Sequence, residues 1–156
     1  MKIPKIYLET TMFNYYFDTD REAHKDTVKL FEEIKKGTYE AYTSDYVLEE
    51  LEKAEEPKKS KMLSLIEEYN ITILEFNEDA EKLADIYVKE GVIPERFRYD
   101  GIHIAISAIN ELDYILSLNF QHINKLKTKT MTDILNKREG YKGVYICSPM
   151  EVVDYD

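Results

Sequence analysis

Short apolar runs along the chain alternate with stretches in which apolar residues recur every three or four positions. That alternation predicts β-α-β units around a mostly parallel sheet. Residues 3–8 read as a first strand that ends abruptly at Glu9, Thr10 and Thr11. Residues 21–36 carry Val28, Leu30, Phe31 and Ile34 on one helical stripe, and Gly37 closes it in the manner of a C-terminal cap. Residues 40–43 form a short strand. From Ser44, a favoured N-cap, a helix is expected to about Glu55, and Pro57 starts another through Met62, Leu65 and Tyr69. Residues 71–74 are a third strand, followed by a helix over 77–90. Gly91 and Pro94 punctuate the loop leading to Asp100, where an almost wholly apolar helix begins and runs to about Leu112. Residues 114–118 make a fourth strand that stops at Asn119. A short helix over 131–138 and a last strand over 144–146 complete the pattern. Between Glu9 and residue 21 the chain reads as a loop, whose Tyr15, Tyr16 and Phe17 could anchor a partner, stack on bases or simply pack.

With 156 residues, no linker-like stretch and no internal repeat, the chain is expected to form one domain over 1–156 with a sizeable core. Its single cysteine, Cys147, excludes a disulfide framework or a cysteine metal cage within one chain and reads as a small core residue of a protein in a reducing compartment. The apolar start is too short for a signal peptide and no run is long enough to span a bilayer. A soluble, cytoplasmic protein with no membrane partner is therefore expected. A net charge of -10 argues against broad, sequence-independent nucleic-acid binding. It leaves room for a local site. Lys125, Lys127, Lys129, Lys137 and Arg138 form one basic cluster and Lys58, Lys59 and Lys61 another, both readable as ordinary solvated surface. Acids converging on a divalent ion in one cleft would reverse the local field.

A lone acid at the mouth of the apolar helix, Asp100, is costly to desolvate unless a cation or a hydrogen-bond donor receives it. The plain receiver is the helix's own first turn. Glu9 and Asn119 each follow a strand, and in open parallel sheets ligands bind outside the carboxyl ends of the strands, so both would face one rim. Glu9 could equally serve as a turn or cap residue. In the helix from Ser44, a rotation of about 100° per residue sets Glu49 opposite the stripe of Val47, Leu48, Leu51 and Ala54. Glu50 and Glu52 fall on its two shoulders, and periodicity leaves the choice between them open. Asp100, His103, Ser107 and Glu111 share one narrow side of the apolar helix, which is either its solvent edge or the floor of a site. His103 is close enough to meet Asp100 or a bound phosphate, and equally at home as a packing residue. His122 has no second histidine at zinc-like spacing. A cleft of Glu9, Glu50, Asp100 and Asn119 would offer only oxygen donors, which suit Mg2+ or Mn2+. Neither a phosphate-cradling glycine loop nor a nucleophile elbow occurs.

Four segments carry a resemblance: residues 6–11 (IYLETT), 44–51 (SDYVLEEL), 100–105 (DGIHIA) and 113–123 (DYILSLNFQHI). In order and approximate spacing they resemble the motifs of PIN-domain nucleases, and among these the VapC-like toxins of toxin-antitoxin pairs. The resemblance implies a three-layer α/β/α sandwich with a five-stranded, mostly parallel sheet. It also implies a Mg2+- or Mn2+-dependent endoribonuclease acting on RNA and a small antitoxin partner. By position, Glu9, Glu50 and Asp100 take the places of the family's metal-binding catalytic acids. Asn119 stands where many members have a fourth acid, and Glu9 where many have aspartate; an asparagine offers a neutral oxygen and removes one charge. Thr10, His103 and Ser107 are expected in support, and a homodimer is left open. The rival reading is a PIN-like module that binds RNA or protein with weakened hydrolysis, motivated by Asn119 and the acidic charge. A magnesium phosphatase is disfavoured, because Glu9 is not followed by an Asp-x-Asp pattern.

Overall fold

Ile6, Tyr7 and Leu8 have no exposed surface, as a strand covered on both faces of a parallel sheet requires. They belong to β1 (Lys5–Leu8), which lies at the centre of the five-stranded sheet in a computed structural model describing residues 2–119 and 121–155. Phe120, within the fourth resembling segment, lies outside the described residues. The other strands are β2 (Glu40–Ser44), β3 (Thr72–Leu74), β4 (Tyr114–Leu116) and β5 (Tyr145–Cys147), in the order β3-β2-β1-β4-β5. Every pairing is parallel; Ile6 sits opposite both Ala41 and Tyr114, and Leu8 opposite Leu116.

From β1 the chain walks outward to β2 and β3, then crosses back to β4 on the other side. Right-handed crossovers therefore place the first helices on one face and the later ones on the other. The first group is α1 (Thr10–Phe17), α2 (His24–Lys35), α3 (Asp45–Glu52) and α4 (Lys58–Glu68). The second is α5 (Glu78–Lys89), α6 (Arg98–Ile109) and α7 (Leu126–Arg138). Packing follows the same division: α1 rests on α2, α3 and α4, while α5 rests on α6 and α7. The result is the three-layer α/β/α sandwich expected from the resemblance. Between β1 and β4 the strand order reverses, opening a crevice at their carboxyl ends.

Several elements differ from the expectation, each for a physical reason. The stretch read as a loop after Glu9 is the helix α1. Met12 and Phe13 are fully buried beneath it, and the Tyr16 ring packs edge-on against Phe17, Phe31 and Tyr69. Those aromatics serve the packing between helices. β1 starts at Lys5, after Pro4, which has no N–H to give the ladder. β4 ends at Leu116: Ser117 N–H still donates to the Cys147 carbonyl, but the next two N–H groups turn to side chains, Leu118 to Thr11 Oγ1 and Asn119 to Ser117 Oγ. α6 begins at Arg98, before Asp100, and its N-cap Phe97 makes no side-chain cap. It ends at Ile109, leaving Glu111 exposed in a left-handed turn with φ 56. α3 stops at Glu52, short of Glu55, and α7 starts at Leu126 rather than Met131. Cys147 is half-buried on the edge strand β5.

Candidate active site

Three of the four oxygen-bearing residues singled out in the sequence meet around the crevice where β1 and β4 part. Glu9 directly follows β1 and caps α1, with its Oε1 accepting from Thr11 N–H at 3.2 Å and from the Thr11 hydroxyl at 2.5 Å. Ser117, just past β4, donates its hydroxyl to the same oxygen at 2.8 Å. One carboxylate oxygen thus ties the ends of the two adjacent strands together, and Glu9 is only 6% exposed. As a capping residue Glu9 meets its plain alternative reading, yet the cap engages one oxygen only.

Glu50 is the shoulder residue that turns inward, half-buried on α3, whereas Glu49 and Glu52 are exposed. Its Oε1 accepts from the Thr10 hydroxyl at 3.0 Å and lies 3.2 Å from His103 Nε2. Partial burial pushes this carboxyl up, but the hydrogen bonds from His103 and Thr10 and the imidazole's charge outweigh it and hold it below the usual carboxylate range.

His103 is 1% exposed and lies between the rings of Tyr7, tilted to it at 5.7 Å, and Tyr46, edge-on to it at 5.5 Å. Its Nδ1 meets the Tyr7 hydroxyl at 2.7 Å, and that hydroxyl meets Ser44 Oγ at 2.8 Å. The proton arrangement follows from the carboxylate, which only accepts. In either charge state Nε2 carries the hydrogen toward Glu50; when the ring is neutral, Nδ1 accepts from Tyr7, and Tyr7 in turn accepts from Ser44. Burial raises the Tyr7 phenol well above its ordinary value and keeps it protonated for this role. A buried polar line thus runs from the N-cap of α3 through the central strand to the acid it positions.

Asp100 lies in the first turn of α6 and is 4% exposed. Its Oδ2 is buried with no hydrogen-bond partner among the described residues. The plain reading of Asp100 as a helix cap therefore gives way, since the first turn does not receive this oxygen. Its carboxyl is pushed up to about 7, first by burial and then by the negative charges of Glu9 and Glu50, with His103 pulling in the opposite direction. An unpaired acid raised first by its burial and then by neighbouring acids is a candidate functional group.

The remaining candidates are placed as follows. Thr10 supports Glu50. Ser107 is fully buried and its hydroxyl donates to the His103 carbonyl at 2.9 Å, within the helix. Asn119 stands half-buried past β4, its N–H donating to Ser117 Oγ at 3.0 Å. Among the described residues no hydrogen bond joins its side chain to Glu9, Glu50 or Asp100. Tyr7, Thr11, Ser44 and Ser117 belong to the site and were not foreseen in that role; the available signal was a polar group, Tyr7 or Ser117, inside an otherwise apolar strand run.

Among the described residues no three His, Cys, Asp or Glu side chains stand together as a ready ligand cage. A closed cage is not what a hard ion of the magnesium type requires: it keeps several waters and is held by one or two carboxylates together with substrate phosphate. The orphaned Asp100 oxygen and the all-oxygen donor set fit such an ion, with one oxygen each of Glu9 and Glu50 already committed to protein donors.

A five-stranded parallel sheet between two helical layers, with acids at the reversal of its strand order, defines a doubly wound α/β fold with a candidate site at its switch point. No protein-family model and no curated protein sequence matches the chain. Solved structures do match: VapBC2 from Rickettsia felis, solved bound to a DNA fragment from its promoter, aligns with a TM-score of 0.54 at 14% identity, covering 92% of this chain and 98% of that one. A DNA-bound VapBC from Salmonella typhimurium aligns with a TM-score of 0.50 at 14% identity, covering 94% and 98%. The protein has a VapC-like PIN fold, a likeness of architecture rather than of sequence. No helix among the described residues is long and apolar enough to cross a membrane.

Proposed function

We propose that the protein is a divalent-metal-dependent endoribonuclease, the toxin of a VapBC-like pair. One observation carries this reading: the buried, unpartnered Oδ2 of Asp100 beside Glu9 and Glu50. Three acids in one crevice repel one another, and a hard cation relieves that repulsion at the place where an RNA phosphate can share it. Asp100 and the uncommitted oxygens of Glu9 and Glu50 would hold Mg2+ or Mn2+, with Asn119 contributing its amide oxygen directly or through water. The bound ion supplies Lewis-acid charge to the phosphodiester and a water of lowered pKa.

The chain's own groups do the positioning. His103 and Thr10 aim Glu50, Thr11 and Ser117 aim Glu9, and Tyr7 with Ser44 fixes the imidazole. The buried surroundings of Asp100 keep bulk water from screening its charge. No protein nucleophile is required, which accords with the absence of a nucleophile elbow. The two VapBC neighbours are complexes, and on their account we extend to this chain the pairing with a small antitoxin.

The test is cleavage of labelled RNA by the purified chain, freed of any copurified inhibitor, with Mg2+, with Mn2+ and with EDTA. Cutting is expected with either ion and none with the chelator. A folded, inhibitor-free sample that cuts with neither ion rejects the proposal. One observation favours a second reading, a PIN-like module weakened in hydrolysis: Asn119 contributes no charge. Calorimetry separates the two, since a module of that kind would show no Mn2+ binding in the millimolar range.

A further inference from the structure

Beside the acids, and sharing Asp100 as part of its wall, lies a cavity of about 400 Å³ whose lining includes Arg96, Phe97, His122, Lys125 and Lys127. The Phe97 and His122 rings lie 3.9 Å apart at an interplanar angle of 33°, and the Arg96 guanidinium lies 4.8 Å from the centre of the Phe97 ring. Arg96, Lys125 and Lys127 are exposed and make no ion pair among the described residues. Of the basic residues nearby, Arg98 pairs with Asp85, Lys137 with Asp133, and Arg138 with Glu90 and Glu139, whereas Lys129 on α7 makes no ion pair among the described residues. In a chain of net charge -10, Arg96, Lys125 and Lys127 give this one cavity a positively charged wall beside the acids.

Charge alone would suit an acidic peptide as well as a phosphate. The layered rings and guanidinium decide between them, because unpaired RNA bases stack on Phe, His and Arg planes while phosphates seek the cations around them. We propose that this cavity is a nucleotide subsite for single-stranded RNA next to the bond that is cut, the base stacking on the Phe97–His122 platform and its phosphate held by Arg96, Lys125 and Lys127. The subsite rests on the ribonuclease reading of the neighbouring acids. It explains how an acidic protein holds a polyanion: the binding charge is concentrated in one cleft, and the strand leaving it passes Asp100.

The experiment measures fluorescence anisotropy of a labelled single-stranded RNA octamer with the full chain in EDTA, where no turnover occurs, across a salt series. Lys125→Ala/Lys127→Ala should weaken binding about tenfold and flatten the log–log salt slope by about 1.4, since each phosphate that a lysine neutralises on a single strand adds roughly 0.7. Phe97→Leu should weaken binding about fivefold or more and leave the slope unchanged, since stacking carries no counterion release. Lys58→Ala/Lys61→Ala, on α4 and outside the cavity, should match wild type.

Wild-type affinity and slope in the folded Lys125/Lys127 variant would overturn the subsite. So would an equal loss in the Lys58/Lys61 variant, or a glutamate-rich peptide that binds through Lys125 and Lys127 more tightly than the RNA. Both lysines are exposed, so the outcome does not depend on Phe97→Leu folding. RNA binding that depends on this cavity, in a protein that nevertheless cuts nothing with Mn2+, upholds the subsite and removes the ribonuclease reading. Cleavage without that dependence does the reverse.

Discussion

The two rims of the sheet each bury an acid with an unpartnered carboxylate oxygen, Asp100 Oδ2 at the carboxyl ends of the strands and Glu33 Oε2 near the amino end of β2. Glu33 lies in the last turns of α2, close to the phenol of Tyr39, which burial first and Glu33 second push upward. Asp100 faces Glu9, Glu50 and His103. The contrast teaches that a buried orphan oxygen is by itself only a desolvation cost. It becomes a candidate site where a reversal of strand order brings further acids to it and hydrogen bonds hold them there: Ser117 and Thr11 on Glu9, His103 and Thr10 on Glu50.

Asp100→Asn sharpens this contrast most. RNA cleavage should drop by about three orders of magnitude, a few kcal/mol of lost charge stabilisation, with the melting temperature unharmed. Glu33→Gln should leave single-turnover cleavage within about twofold of wild type. Comparable losses in both variants would break the distinction between the rims.

Tyrosine-to-phenylalanine changes repeat the comparison at lower amplitude. Tyr7→Phe strands the buried Nδ1 of His103 and should destabilise the fold by about 1–3 kcal/mol in urea denaturation, with cleavage falling about tenfold as Glu50 loses its fixed partner. Tyr39→Phe removes only a bond to the Val152 carbonyl at 2.6 Å. It should cost less stability and leave cleavage unchanged.

A third difference is in pH. The Asp100 pKa is raised from 3.8 to about 7, so the fold prefers its protonated form. That contribution to stability is fully present below pH 3.8 and is lost as pH rises through about 7. In chelator, melting temperatures should show wild type falling relative to Asp100→Asn across that window, and Mn2+ should restore wild type above it. A difference that does not vary with pH would refute the assignment. The smallest effect concerns Asn119→Asp, which should tighten Mn2+ by about threefold in calorimetry through one added charge; equal or weaker affinity removes Asn119 from the ion's surroundings.

The fold was legible because buried strands and packed helices leave local records: runs of branched apolar residues, stripes at helical spacing, and caps such as Ser44 and Asn77. α1 was hidden because it is only 8 residues long and opens with two threonines, so its stripe of Met12, Phe13 and Tyr16 is too brief to register as a period. The start of α6 was misplaced because the polar Arg98 and Tyr99 give no apolar signal, which made Asp100 look like a cap.

By itself the sequence determined the succession of the strands and of every helix except α1, and the arrival of Glu9 and Asn119 at one rim, since both depend on neighbours a few residues away. Periodicity left Glu50 and Glu52 equivalent and the resemblance named Glu50; the tertiary structure supplies the physical reason, since Thr10 and His103 dock against that shoulder of α3. It alone joined Tyr7 to His103 across 96 positions and Ser117 to Glu9 across 108. It alone left Asp100 Oδ2 without a donor. Local pattern encodes burial and period, whereas the partners of a charge are whatever the packed chain brings beside it, and in this protein those partners decide which acids make a site.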